Sequence, residues 1–298
     1  MAGISAQPAG APHATLWPAL ALVLNAFTWG VSWWPFRQLQ ALGLHPLWAT
    51  VLIYAVAVLA ITLWRPGAWL QLARTRTLWL LVLAAGTTNA TFNWAVTVGD
   101  VVRVVLLFYL MPLWAVLLAR LLLHEAFTPA AGLRVALALL GAAIVLWPEQ
   151  GGLPLPRTLA EWLAVLGGFS FALNNVMLRR EAHQPEAARA LAMFLGGAVV
   201  AGVLASALSV QGMVPLPPPP AAAWIAGALA MSAAFLVGNM ALQYGAGRLP
   251  ANVTAVVMIT EVLFASGSAV LLGAGTLTAQ LLLGGALIVG ATLLSARA

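Results

Sequence analysis

Ten stretches of nearly unbroken apolar residues fill the chain, at about 17–36, 46–64, 77–98, 101–123, 131–147, 159–178, 187–210, 221–244, 250–272 and 278–296. Each approaches the roughly 20 apolar residues that an α-helix needs to cross a bilayer. A membrane β-barrel would alternate apolar and polar positions instead, so that class is set aside. The pattern predicts an all-α polytopic membrane protein with ten transmembrane helices.

The ten divide into two matching groups of five. Adding 142 carries Ala26-Phe27-Thr28-Trp29-Gly30 onto Gly168-Phe169-Ser170-Phe171-Ala172, and Arg37 onto Arg179. Adding 149 carries Leu121-Leu122-Leu123 onto Val270-Leu271-Leu272, and Leu140-Gly141-Ala142 onto Val289-Gly290-Ala291. Because five is odd, the second group enters the membrane from the opposite side, which predicts two inverted five-helix repeats. The expected organisation is a disordered cytoplasmic tail over 1–16, a first repeat over 17–150 and a second over 151–298.

Polar residues inside the spans are unevenly shared. Helices 1, 3, 6, 8 and 9 carry Asn, Gln, Thr, Ser or Glu, whereas helices 5 and 10 are almost purely aliphatic. A polar side chain turned to lipid has no partner, so it faces the bundle interior or water. With helix 4 as the repeat partner of helix 9, helices 1, 3, 4, 6, 8 and 9 are predicted to line a central cavity. Helices 2, 5, 7 and 10 form the lipid-facing support.

Composition agrees, with 7% charged and 63% hydrophobic residues and a mean hydropathy of +0.99. A sequence pI near 11.3 suggests nucleic acid, but the basic residues form no patch. With the N-terminus in the cytoplasm, ten of the 13 arginines fall at cytoplasmic ends or loops. Only Arg37, Arg103 and Arg157 fall outside. Such a bias predicts both termini in the cytoplasm.

Absences narrow the chemistry. Without cysteine there is no thiolate nucleophile, disulfide or thiolate metal site. Without lysine there is neither a P-loop lysine nor a Schiff-base lysine. His13, His45, His124 and His183 lie in the tail or at loops, far apart in sequence, so no metal and no cofactor is expected. Ser170 has no histidine base on any helix, and no enzyme activity is expected.

Glu261 is the sharpest candidate, lying near the middle of the ninth stretch, where a bare carboxylate is costly. It either binds a substrate ammonium or carries a proton, or it braces helix 9 against a neighbouring hydroxyl or amide. Asn89 and Asn93 lie four apart on one helix face, a spacing repeated by Asn239 and Gln243, and Asn174 sits deep in helix 6. Amides serve equally as zwitterion ligands and as interhelical glue. Trp29, Trp33 and Phe108 are deep enough to stack an apolar substrate or simply to pack, and Met111 and Met258 complete the candidate lining. Pro35 and Pro112 interrupt backbone hydrogen bonding and are read as hinges.

Pro112-Leu113-Trp114 through His124-Glu125, then Gly132 and Leu140-Gly141-Ala142, resembles the half-repeat signature of EamA-type proteins of the drug/metabolite transporter superfamily. Among these the chain is most similar to the YddG-like aromatic amino-acid exporters. The resemblance implies ten helices, duplicated inverted halves, cytoplasmic termini, and export of amino acids or other metabolites. It also implies a small-molecule substrate and a lipid bilayer as partners, without nucleic acid, and the chain is read as a monomer. The second half departs from the signature: Glu261 stands near the position expected for Pro112's equivalent, and Gly273-Ala274 replace His124-Glu125.

Overall fold

The computed structural model describes residues 12–123, 128–147, 153, 155–246, 248–249, 257–258 and 260–295. Its regular elements are all helices. The first half carries α1 (Pro12–Val31), α2 (Trp33–Ala41), α3 (Pro46–Trp64), α4 (Gly67–Arg74), α5 (Arg76–Val98), α6 (Val101–Phe108), α7 (Met111–Leu123) and α8 (Pro129–Leu146). The second carries α9 (Leu159–Arg180), α10 (Glu186–Val210), α11 (Ala222–Ala246), α12 (Thr260–Leu271) and α13 (Ala279–Ser295). His124, Glu125 and most of the connector between the halves lie outside the described residues.

Within the described residues, each apolar stretch coincides with a helix or with two helices in succession. The first is α1 followed by α2, the fourth α6 followed by α7, and α4 is an additional short helix after the second. α1 begins at Pro12, within the stretch expected to be a tail. Six helical runs are long and apolar enough to cross a membrane by length and composition: Leu16–Ala41, Pro46–Trp64, Val101–Leu122, Leu159–Arg180, Glu186–Val210 and Ala222–Gly245. Gly132–Leu146, Thr260–Leu271 and Ala279–Ala291 are apolar but shorter. The 23-residue α5 is outside both groups, since Thr87, Thr88, Asn89, Thr91 and Asn93 lower its hydropathy. Protein rather than lipid surrounds it: α5 packs along both α9 and α10.

Local chemistry sets the helix ends. His45 caps α3, its Nδ1 accepting the Leu47 N–H at 3.3 Å, with Pro46 in the first turn. Partial burial holds the His45 ring below the ordinary imidazole range, which keeps that acceptor neutral. At the start of α9, Thr158 and Glu161 form a reciprocal capping box.

Packing between the halves follows a regular scheme. Besides α5 on α9, α1 lies on α11; besides α5 on α10, α11 lies on α3; and α7 on α9 is matched by α1 on α12. The pairs α3 with α10, α6 with α12 and α8 with α13 cross between the halves as well. Backbones nearly touch at two of these crossings. A Cβ on Gly86 would meet the Gly196 carbonyl, and one on Gly196 the Val82 carbonyl. Likewise Gly141 and Gly284 would each place a Cβ 2.7 Å from the other's carbonyl oxygen. Within the halves the scheme breaks, because α3 packs on α5 while α10 and α11 share no comparable contact.

Candidate functional site

The two halves exchange polar contacts along one buried seam. Its centre is the interruption between α6 and α7 at Tyr109-Leu110. Pro112 has no N–H to offer the Phe108 carbonyl one turn back, so α6 cannot continue regularly into α7. That carbonyl points at α9 instead, where a Cβ on Gly168 would collide with it. The bare glycine lets the interrupted helix seat against its neighbour.

The interruption frees Tyr109 to leave its own helix. Its hydroxyl donates to Glu261 Oε2 at 3.1 Å and lies 3.4 Å from the Met258 carbonyl. Glu261 is buried in the first turn of α12, with an exposure of 7%. Seven residues on, or about 10 Å up the same helix face, Ser268 Oγ accepts the Trp33 indole N–H at 2.9 Å. Gly30 makes the approach of α1 possible, because a Cβ there would sit 2.7 Å from Phe264 Cβ and 2.9 Å from the Glu261 carbonyl oxygen. The α1–α2 junction at Ser32 lies one turn before Pro35, which lacks the N–H for Val31's carbonyl.

Several of the predicted residues gather here. Trp33, Phe108, Met258 and Glu261 lie along the seam, and Trp29 and Met111 pack on the same apolar cluster. Phe108 sits among Phe92 and Phe171, at 4.6 and 5.2 Å between ring centroids, and Trp29 stacks on Phe235 at 4.6 Å. The predicted amides lie elsewhere. Asn89 is held between Tyr54, whose hydroxyl donates to Oδ1 at 2.6 Å, and the Ala85 carbonyl, to which its amide donates at 2.7 Å. Asn93 donates to Thr50 Oγ1 at 3.1 Å, and its buried Oδ1 has no partner among the described residues. Asn174 likewise donates to Asn175 Oδ1 at 3.4 Å, and its own Oδ1 has no partner among the described residues. Tyr54→Phe removes the Asn89 donor while keeping the ring. It is expected to lower stability by about 1 kcal/mol, read as a fall in the detergent-solubilised melting temperature.

The two ends of the bundle differ. At one, the Arg37 guanidinium lies over the Trp33 ring and donates to the Gly99 carbonyl at 2.5 Å and the Val96 carbonyl at 3.3 Å. Asp100 caps α6 through Arg103 N at 2.9 Å and reaches Thr276 N at 3.2 Å. Arg103 pairs with Glu161 at 2.6 Å. α2, the α5–α6 hairpin, α9 and the α12–α13 loop are thereby tied together. At the other end a cavity of about 980 Å³ opens between the end of α3, α4, the start of α10 and the end of α11. Asn239 and Gln243 line it, with Gln243 donating to Asn239 Oδ1 at 2.7 Å. It lies where the α10–α11 pairing is missing.

The chain is similar to known proteins at two levels. Residues 16–147 match the EamA-like transporter family. An uncharacterized transporter of Pseudomonas aeruginosa is 31% identical over 128 residues, a stretch covering 42% of this chain and 40% of that protein. The chain thus aligns with about two fifths of that relative's length. A solved crystal structure shares the fold over 95% of this chain and 96% of its own, with a TM-score of 0.57 and 19% identity. Residues 16–147 are thus similar to the EamA-like transporter family, and the helices long and apolar enough to cross a bilayer make the chain a multi-pass membrane protein.

Proposed function

We propose that the chain is a secondary transporter that exports aromatic and other hydrophobic amino acids across the inner membrane by alternating access. Ten crossings in two inverted repeats, with cytoplasmic termini, form its frame. The observation that carries the reading is the seam where Tyr109 and Trp33 of the first half meet Glu261 and Ser268 of the second. A solute held there touches both halves, so rocking one against the other exchanges its access. The main pairings between halves support the repeat, since they recur when each span is exchanged for the one five places on.

The chemistry suits an amphipathic zwitterion. Glu261 accepts ammonium protons, while Trp29, Trp33 and Phe108 offer aromatic surface. One tied end and one gapped end is the asymmetry that alternating access requires. The three arginines on the outer side of the predicted topology, Arg37, Arg103 and Arg157, all belong to the tied end, where the Arg157 backbone N–H donates to Glu161 Oε2 at 2.6 Å. Their departure from the positive-inside pattern has this local use.

Flux from proteoliposomes loaded with a panel of amino acids, with and without a pH gradient, tests the reading. Saturable efflux of aromatic amino acids above that of small polar ones is expected. Efflux of another amphipathic solute with none of any aromatic amino acid would overturn the substrate assignment. Acceleration by a proton gradient would show that efflux is proton-coupled.

A further inference from the structure

The 980 Å³ cavity between α3, α4, α10 and α11 has features that the transport seam does not use. We propose that it holds the phosphodiester head group of an anionic, hydroxyl-bearing membrane phospholipid. Arg65 and Arg248 both line it, and neither pairs with a carboxylate among the described residues. Each is backed by an aromatic ring, Arg65 over Trp64 at 5.1 Å and Arg248 over Tyr244 at 4.0 Å. Arg248 is further fixed by donating to the Tyr244 carbonyl at 3.1 Å. Two preset guanidinium groups beside one cavity form a receptor for a phosphate.

The backbone adds to the same field. α4 and α10 both begin at the cavity wall, behind Pro66 and Pro185, and neither helix has a side-chain cap. Ala68, Trp69, Ala188 and Arg189 N–H already donate to backbone carbonyls, so among the described residues the Gly67, Glu186 and Ala187 N–H groups are the donors left for a phosphate oxygen, with the positive ends of both helix dipoles behind them. The remaining polar lining favours hydroxyl donors. Glu186 offers a carboxylate, and the buried Gln243 Oε1 has no partner among the described residues. Two cationic side chains against one anionic side chain leave a positive balance suited to a singly charged phosphodiester.

Position argues for a lipid as the source. Trp64 and Tyr244 are 65% and 40% exposed at the ends of α3 and α11, where aromatic side chains mark the head-group layer. Met240, 56% exposed, continues the wall along α11, and Phe194 and Leu236 form apolar surface for the upper part of an acyl chain. The short helix α4 buries Ala68 and Leu72 and leaves Trp69 and Leu70 exposed, as a helix lying in the interface does.

The full chain, reconstituted in phosphatidylcholine discs with a minority of phosphatidylglycerol, is extracted and its bound lipid counted by native mass spectrometry. Wild type is expected to retain phosphatidylglycerol well above the bulk ratio, and enrichment should fall as salt rises. An arginine near the surface contributes about fivefold for an anionic lipid, so Arg65→Gln with Arg248→Gln should lose roughly 25-fold, returning near the bulk ratio. Arg65→Lys with Arg248→Lys should keep most of the enrichment, and Arg74→Gln, outside the cavity, all of it. Bulk-ratio lipid on wild type, or enrichment indifferent to salt, overturns the proposal. So does full enrichment on a monodisperse Arg65→Gln/Arg248→Gln protein. Excess inorganic phosphate that displaces the lipid reassigns the cavity to a free anion. A lowered KM for amino-acid efflux in pure phosphatidylcholine, where no anionic lipid competes, reassigns it to the substrate, and both results overturn the lipid assignment.

Discussion

Gly196→Val is expected to leave little folded protein. Every atom it adds enters the crossing of α5 and α10, where the Gly196 site already lies against the Val82 carbonyl and the Gly86 amide. Those neighbours are backbone, so no rotamer change can make room and the helices must separate. α5 is also the element along which α9 and α10 both pack, which spreads the displacement to two interfaces. Overpacking of a rigid interior costs about 1–3 kcal/mol and more where backbone must move. Here roughly 3 kcal/mol or more is expected, read as loss of the monodisperse size-exclusion peak after mild heating. Gly267→Ala is the matched control, because no heavy atom lies within 4 Å of its added Cβ, and it should leave the peak unchanged. A Gly196→Val protein as heat-resistant as wild type would show that the two helices part freely.

The same crossing shows what an apolar sequence discloses. Gly196-Gly197 reads as a site of close helix approach, but nothing in one sequence says that Gly86, 110 residues earlier, is the other side. Helix positions were legible because lipid imposes one rule on every crossing segment: the backbone must satisfy itself over a fixed thickness. The interruption at Tyr109-Leu110 was legible from Pro112, since the missing N–H acts on a carbonyl of the same turn. α4 was not, because eight residues around Trp69 carry too little periodicity to separate from a loop.

Side-chain roles divided along the same line. Glu261 stands out in any apolar run, whereas Tyr109 reads as one more core aromatic until its partner, 152 residues away, is placed beside it. Asn89 and Asn93 form a helical pair by spacing, yet the hydroxyls they meet come from α3, the helix expected to be lipid-facing support. Arg65 and Arg248 were legible only as loop charges that set topology, and Glu186 carried no signal of its own. Their meeting around one cavity depends on how α3, α10 and α11 end, which local sequence does not encode.

Glu261→Gln is expected to reduce efflux by roughly 10- to 100-fold while leaving the fold intact. The glutamine keeps an oxygen for the Tyr109 hydroxyl, which now lies 3.1 Å from Oε2, and nearly the same volume in the first turn of α12. What it removes is the charge, and with it the strong hydrogen bond a carboxylate makes to an ammonium or a proton. A charge-assisted hydrogen bond contributes about 1.5–3 kcal/mol, which sets the stated range of rates. Tyr109→Phe separates bracing from binding. If Glu261 serves mainly to tie α12 to the interrupted helix, Glu261→Gln should keep the tie and most efflux, whereas Tyr109→Phe should lower thermal stability and efflux together. If Glu261 holds the transported solute, Tyr109→Phe should retain most efflux and Glu261→Gln should lose it without a change in melting temperature. Unchanged efflux by Glu261→Gln at every pH would take the carboxylate out of the transport cycle. Its burial would then be accounted for by the tie between the two halves alone.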